Sequence, residues 1–275
     1  MNYLQSFGRD IKKIEEFLLA CALHNARDMD ASEFERLVAR VRNPRLVPGI
    51  YNYCDGRCPR CPFTDRCLTY LDQQDTAAGD GNRHVSFAQK VTQSVQRTLD
   101  MLAEVGRREG IDLASLHGDD PDEKKIEHAL GRHYDDPIVA QSRAYTHLAW
   151  PIVKALTPVV IARGDPLVID AVETIEWFST FISSKIFRAV AGQAEMPPDG
   201  DDDGQPDHDG SAKVALLGIA ESRTAWRILM EHGKATANGV PAQAVRMLDA
   251  LETSVRASFP RAMAFIRPGF DDGTL

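Results

Sequence analysis

The sequence predicts an all-α protein, a multi-helix bundle carrying a short cysteine-rich metal-binding loop. Three observations predict the bundle. Asp120-Pro121, Asp136-Pro137 and Asp165-Pro166 each set an N-cap carboxylate before a proline at the first helical position, where the missing N–H costs nothing and φ is already helical. Apolar residues recur at steps of three and four, as in Val168, Val172, Ile175, Ile182, Ile186 and Val190, the period of a helix with one buried face. No stretch of comparable length alternates apolar and polar residues as a half-buried strand would.

In chain order, residues 8–27 read as an amphipathic helix, because the apolar run 17–23 follows Lys12, Lys13, Glu15 and Glu16 and is too short for a secretory core. Cys21, inside that run, is expected to be a buried core thiol. A helix over 31–43 opens on Asp30, with Glu33 at capping-box spacing. Residues 43–75 hold the cysteines and read as non-helical. Further helices are predicted over 84–109, 121–133, 137–163, 166–191, 212–233 and 241–266. Gly164 and Gly192 stand where helix stops belong, and Pro151, Pro158 and Pro260 should bend or break their helices. The segment 195–212 is rich in Asp, Gly and Pro with hardly any apolar side chain, and is expected to be a flexible acidic linker. The organisation expected is an N-terminal helical pair over 1–45, a four-cysteine metal-binding loop over 46–75 and a main bundle over 76–275.

At 275 residues, with 43% hydrophobic and 26% charged side chains, the chain can bury a substantial core and falls outside disordered, collagen-like and coiled-coil composition. Its formal charge of −8 gives no basic excess, so a nucleic-acid partner is not expected. Seven acids and no Lys or Arg lie between Glu195 and Asp209, so the acidity belongs to one segment and the rest is near balance. The best membrane candidate, 148–162, is interrupted by Pro151, Lys154 and Pro158, so no membrane partner is expected either. The absence of a recognisable export signal points to the reducing cytoplasm, where cysteines are thiols or metal ligands before they are disulfides.

Four of the five cysteines fall within fourteen residues: Cys54, Cys58, Cys61 and Cys67, spaced CxxxCxxCxxxxxC. Gly56, Pro59 and Pro62 supply tight turns that let several sulfurs converge. Four thiolates cannot stay close without neutralisation, which a metal centre provides, and the interleaved Arg57, Arg60 and Arg66 offset the remaining charge. Structural zinc usually draws its ligand pairs from two knuckles a dozen or more residues apart, whereas here all four are local. Closely spaced ligands and a proline after a ligand cysteine, as in Cys61-Pro62, are habits of iron–sulfur sites. The expected cofactor is a [4Fe-4S] cluster, with Zn2+ as the alternative.

The run from Cys58 to Cys67, CPRCPFTDRC, resembles the CxxCPxxxxC segment that ligates a [4Fe-4S] cluster in RecB-family nucleases and in the auxiliary-cluster domains of radical-SAM maturases. The likeness covers ten to fourteen residues. It implies a cluster and no more, because the carboxylate-lysine nuclease core is missing, and the CxxxCxxC spelling of radical-SAM enzymes here lacks their βα repeats.

Other chemistry is thin. There is no Glu-x-x-His, HExxH, GxSxG or GxxxxGK, and the acidic segment lacks the calcium-loop spacing. Polar residues do interrupt apolar helices: Asp170, Glu173, Glu176 and Trp177 precede Lys185 and Arg188, Glu221 stands near Arg223 and Trp226, and His147 lies beside Tyr145 and Trp150. Asp170, Glu173, Glu176, Glu221 and His147 are therefore candidates for acid, base or metal-ligand work in a pocket between helices, set against a plainer reading as interhelical salt bridges and a satisfied core histidine.

Three functions follow as expectations. The first is a cytoplasmic helical protein holding a [4Fe-4S] cluster in a structural or redox role. The second is a zinc-stapled scaffold that binds a protein partner without catalysis, and the third is an enzyme with a carboxylate-lined pocket. Whether it is an enzyme, what substrate or redox partner it has, and its oligomeric state are not written in the sequence.

Overall fold

The computed structural model describes residues 31–79, 87–111, 131, 133–195, 205–232 and 239–273. Within them the regular structure is helical, with no strand. Seven helices run in order: α1 (Ala31–Val41), α2 (Leu68–Gly79), α3 (Phe87–Glu109), α4 (Pro137–Arg163), α5 (Pro166–Glu195), α6 (Asp207–His232) and α7 (Val240–Ser258). The expected helix 8–27, Cys21, the Asp120-Pro121 junction and nearly all of 121–133 lie outside the described residues.

The chain divides into two compact units, Met1–Leu46 with Thr64–Asp120, and Val47–Phe63 with Pro121–Leu275. The cut falls inside the segment 46–75, which the cysteine spacing treats as one loop. The first unit contains α1, α2 and α3. There Arg108 bonds both Glu104, one turn back on α3, and Glu35 of α1. Hydrogen bonds from Arg107 and Arg108 hold the Glu104 carboxyl well below the usual carboxylate range.

The second unit is built on four helices, α5 packing on α4 and α6, and α7 on α6 and α4. Local chemistry sets their ends. The Asp136 carboxylate accepts the Ile138 N–H at 2.8 Å before Pro137, Asp165 accepts the Leu167 N–H at 3.1 Å before Pro166, and Gly164 takes φ +70° to end α4. The core is lined by Ile175, Phe178, Ile182 and Ile186 of α5, Ile219 and Trp226 of α6, Tyr145 and Val153 of α4, and Leu248 and Val255 of α7. Of the face expected on α5, five members are buried and Val190 packs at its edge. Inside this apolar layer Trp226 donates its indole N–H to the Tyr145 hydroxyl at 3.0 Å, and the hydroxyls of Tyr145 and Ser222 share a hydrogen bond.

Several boundaries differ from expectation, among them the end of α5, which runs through Gly192 to Glu195. Pro151 and Pro158 do not break α4; both lie on its exposed side, where the carbonyls left unbonded can face water. Residues 68–75 are not loop but part of α2. The acidic segment ends earlier than predicted: α6 starts at Asp207, and His208, Asp209, Gly210 and Ser211 are buried. The reason is a close approach. A Cβ on Gly210 would lie 2.5 Å from the Tyr53 ring and 2.7 Å from the Phe265 ring, so the glycine admits two aromatic side chains against the first turn of the helix. At the other end, α7 stops at Ser258, just before Pro260, as the proline dictates.

Candidate functional site

Three of the four clustered cysteines, Cys54, Cys58 and Cys61, lie in the Val47–Phe63 segment of the second unit, which a row of side chains on α5 holds in place. Its two ends are fixed by burial. Ile50 and Phe63 are each 2% exposed, and the Phe63 ring meets that of Phe270 edge-on at 5.0 Å.

Between these anchors the segment runs antiparallel to α5, each contact falling three or four helix positions beyond the last. Arg60 pairs with Asp170. Arg57 donates to the Thr174 hydroxyl at 3.1 Å and lies 5.9 Å from the centre of the Phe178 ring. The Trp177 indole N–H donates to the Asp55 carbonyl at 2.8 Å, and its ring stacks on Phe181. The Lys185 ammonium donates to the Asn52 carbonyl at 2.7 Å, over the Phe181 ring. Finally Arg188 grips Asp207 with two hydrogen bonds, and the same carboxylate accepts the Tyr53 hydroxyl at 2.7 Å. Burial and then Asp207 push the Tyr53 hydroxyl up to about 12, so it stays protonated and donating. Positions 170, 174, 177, 181, 185 and 188 form one side of a helix.

Gly56 is the tightest point. Its φ of +70° is left-handed, and a Cβ there would come 2.9 Å from the Trp177 ring. Both backbone and neighbour therefore demand glycine.

The sulfurs are set by this backbone. The Cys61 sulfur accepts the N–H of Phe63 at 3.4 Å. Cys54 receives the N–H of Gly56, again the residue two ahead, while its own S–H points to the Tyr51 carbonyl at 3.5 Å. Burial raises the Cys54 thiol above its ordinary value; the Gly56 N–H and the charge of Lys185 act in the opposite direction, and Cys58 is near enough to repel a thiolate at Cys54. In the first unit, Cys67 directly precedes α2, and its carbonyl accepts the Leu71 N–H at 3.1 Å. All four cysteines are free thiols and partly buried. Among the described residues, no three Cys, His, Asp or Glu side chains lie close enough together to hold a metal ion. The donors are right in kind and number for a four-thiolate centre.

The carboxylate candidates are dispersed. Asp170 is taken up by Arg60, Glu176 turns to Lys154 of α4 at 2.5 Å, and Glu173, Glu221 and His147 are exposed. Two small clefts of the second unit involve none of them: one lined by Asp209, Arg261 and Phe265 among others, and one of about 250 Å³ lined by Tyr134, Val139, Arg143, Ser183, Ser184 and Phe187. Helical spacing singles out Asp170, Trp177, Lys185 and Arg188; Thr174 and Phe181, on the same side, carry no charge to draw attention. Tyr53 and Asn52 have no sequence signal at all.

No protein-family model, curated protein or solved structure matches this chain. No described helix is long and apolar enough to cross a membrane.

Proposed function

We propose that Cys54, Cys58, Cys61 and Cys67 ligate a [4Fe-4S] cluster in a structural or redox role, with α5 as the rigid support of the ligand loop. The observation that carries this reading is the backbone N–H of Phe63, which points at the Cys61 sulfur at 3.4 Å within a loop that α5 holds in place. Such bonds stabilise thiolates and tune the potential of cysteine-ligated clusters. The loop is also held by its backbone carbonyls and arginines. When bound, the cluster would supply one-electron chemistry or a cross-link within the ligand segment. The chain's own part is to hold the ligands, neutralise their charge and keep them partly shielded from water. Such a cluster belongs in a reducing compartment, the cytoplasm in this reading, and a redox role implies a protein partner that gives or takes the electron.

Anaerobic purification with iron and acid-labile sulfide analysis tests the proposal. It expects a brown protein with equal iron and sulfide, lost when Cys58 and Cys61 are replaced by Ser. Colourless protein carrying one zinc per chain would replace it with the zinc-stapled scaffold.

A further inference from the structure

Arg143 of α4 carries a charge that the second unit does not answer. Arg60, Arg188, Arg223 and Arg267 of the same unit each meet a carboxylate. Arg143 does not: it is partly buried, has neither a hydrogen bond nor an ion pair among the described residues, and lies over the Tyr134 ring at 4.4 Å. A ring face attracts the guanidinium from one side and leaves the N–H donors in its plane to meet an anion as a fork. The same side chain lines the cleft of about 250 Å³ that α4 and α5 border.

Tyr134, Phe187 and Val139 give that cleft an apolar wall, the two rings meeting edge to face at 5.6 Å. The rest of its lining is Ser183 and Ser184, whose protons are already committed. Ser184 donates to the Thr180 carbonyl at 3.1 Å. Ser142 gives its own proton to the Val139 carbonyl at 2.7 Å, so in the 3.0 Å bond between Ser142 and Ser183 it is Ser183 that donates. Both cleft hydroxyls therefore have lone pairs to offer, which accept from a donor on a ligand. Among the described residues no carboxylate lines the cleft, so a neutral donor suits it; an ammonium would meet Arg143 and no counter-ion.

From this arrangement we infer that the cleft binds a small carboxylic acid with an apolar body and a neutral hydroxyl, an aryl α-hydroxy acid being the simplest such compound. The carboxylate takes the Arg143 fork, the hydroxyl donates to the serines, and the body lies against the two rings. The volume falls below the roughly 300–1,000 Å³ of drug-sized pockets, which suits a molecule of this size and not a nucleotide. Among the described residues none from the cysteine loop lines the cleft, so its occupancy does not depend on a metal.

Isothermal titration calorimetry of the full-length chain with phenyllactate tests the inference, beside phenylpropionate, which lacks the hydroxyl, and the corresponding diol, which lacks the carboxylate. Phenyllactate should bind with a dissociation constant of about 1 mM or tighter, phenylpropionate about three- to tenfold more weakly, and the diol not measurably. Arg143→Gln should weaken phenyllactate about tenfold with unchanged circular dichroism, since the native guanidinium bonds nothing in the fold. Arg143→Lys should recover only part of the loss, because it keeps the charge without the fork. Failure of phenyllactate to bind the wild-type chain at that level would overturn the inference, as would wild-type affinity in Arg143→Gln or a diol that binds as well as the acid. Inorganic phosphate that displaces phenyllactate at equal concentration would also overturn it, leaving a general anion site.

Discussion

Gly56 is where backbone conformation, packing and sulfur chemistry meet in one residue. Its left-handed φ turns the chain between Cys54 and Cys58, its missing side chain lets Trp177 approach, and its N–H serves the Cys54 sulfur. An alanine there would carry a left-handed penalty of about 1–2 kcal/mol and push against the indole. Gly56→Ala is therefore expected to loosen the loop while leaving the bundle folded, seen as faster tryptic cleavage after Arg57 or Arg60 with unchanged far-ultraviolet circular dichroism. Wild-type cleavage rates would show that the close approach does not hold the loop. Glycine at 56 was legible from sequence as a turn. That it also fits an indole was not, because Trp177 lies more than a hundred residues away along the chain.

At the scale of elements, α5 serves two partners at once. One side buries Ile175, Ile182 and Ile186 in the bundle, and another carries the row from Asp170 to Arg188 that receives the cysteine loop. Periodicity made the apolar side and the helix ends readable: α4 spans 137–163 as the Asp-Pro and Gly signals require. The polar side was readable as a set but not as to purpose, since charges at helical spacing look the same whether they face a substrate, a neighbouring helix or a loop. The start of α6 was hidden for a different reason. Asp, His and Gly at 207–210 have the composition of a solvated linker, and only the arrival of Tyr53 and Phe265 makes their burial favourable.

Two predictions belong at this scale. Tyr145→Phe strips the bond partner of the buried Trp226 indole and of Ser222, and should cost about 1–3 kcal/mol in denaturant unfolding; an unchanged midpoint would show that neither group depends on it. Asp271 ties the C-terminal segment down through Arg267 and the mostly buried Lys213, and the Arg267 hydrogen bond, ahead of Lys213, depresses its carboxyl below the ordinary range. Because the folded value is the lower one, this contribution is complete above the unfolded carboxyl value of about 3.9 and fades as pH falls below it. Asp271→Asn should thus lower stability at neutral pH and flatten the loss of stability between about pH 4 and pH 2. An acid profile parallel to wild type would contradict the assignment.

For the whole molecule, the sequence and the structure agree on an all-α architecture among the described residues, and the structure adds that four of the helices form the second unit. Overall charge says little about the folded part, because most of the −8 sits in one acidic segment. The division into two units was not legible. Spacing along the chain groups Cys54, Cys58, Cys61 and Cys67, whereas contacts assign Cys67 to α2 and its unit and the other three to the bundle. A metal held by all four would add folding energy that the bare chain lacks, so the metal-loaded protein should unfold at a higher temperature than the same protein after chelation. Equal midpoints would mean that the loop contributes no metal-linked stability. The central claim is that these four sulfurs share a cluster, and X-ray absorption on the anaerobically purified full-length chain tests it most directly. The prediction is an iron edge with a first shell made of sulfur and a second shell of iron; a first shell of nitrogen or oxygen, or no iron edge above the buffer, would contradict it.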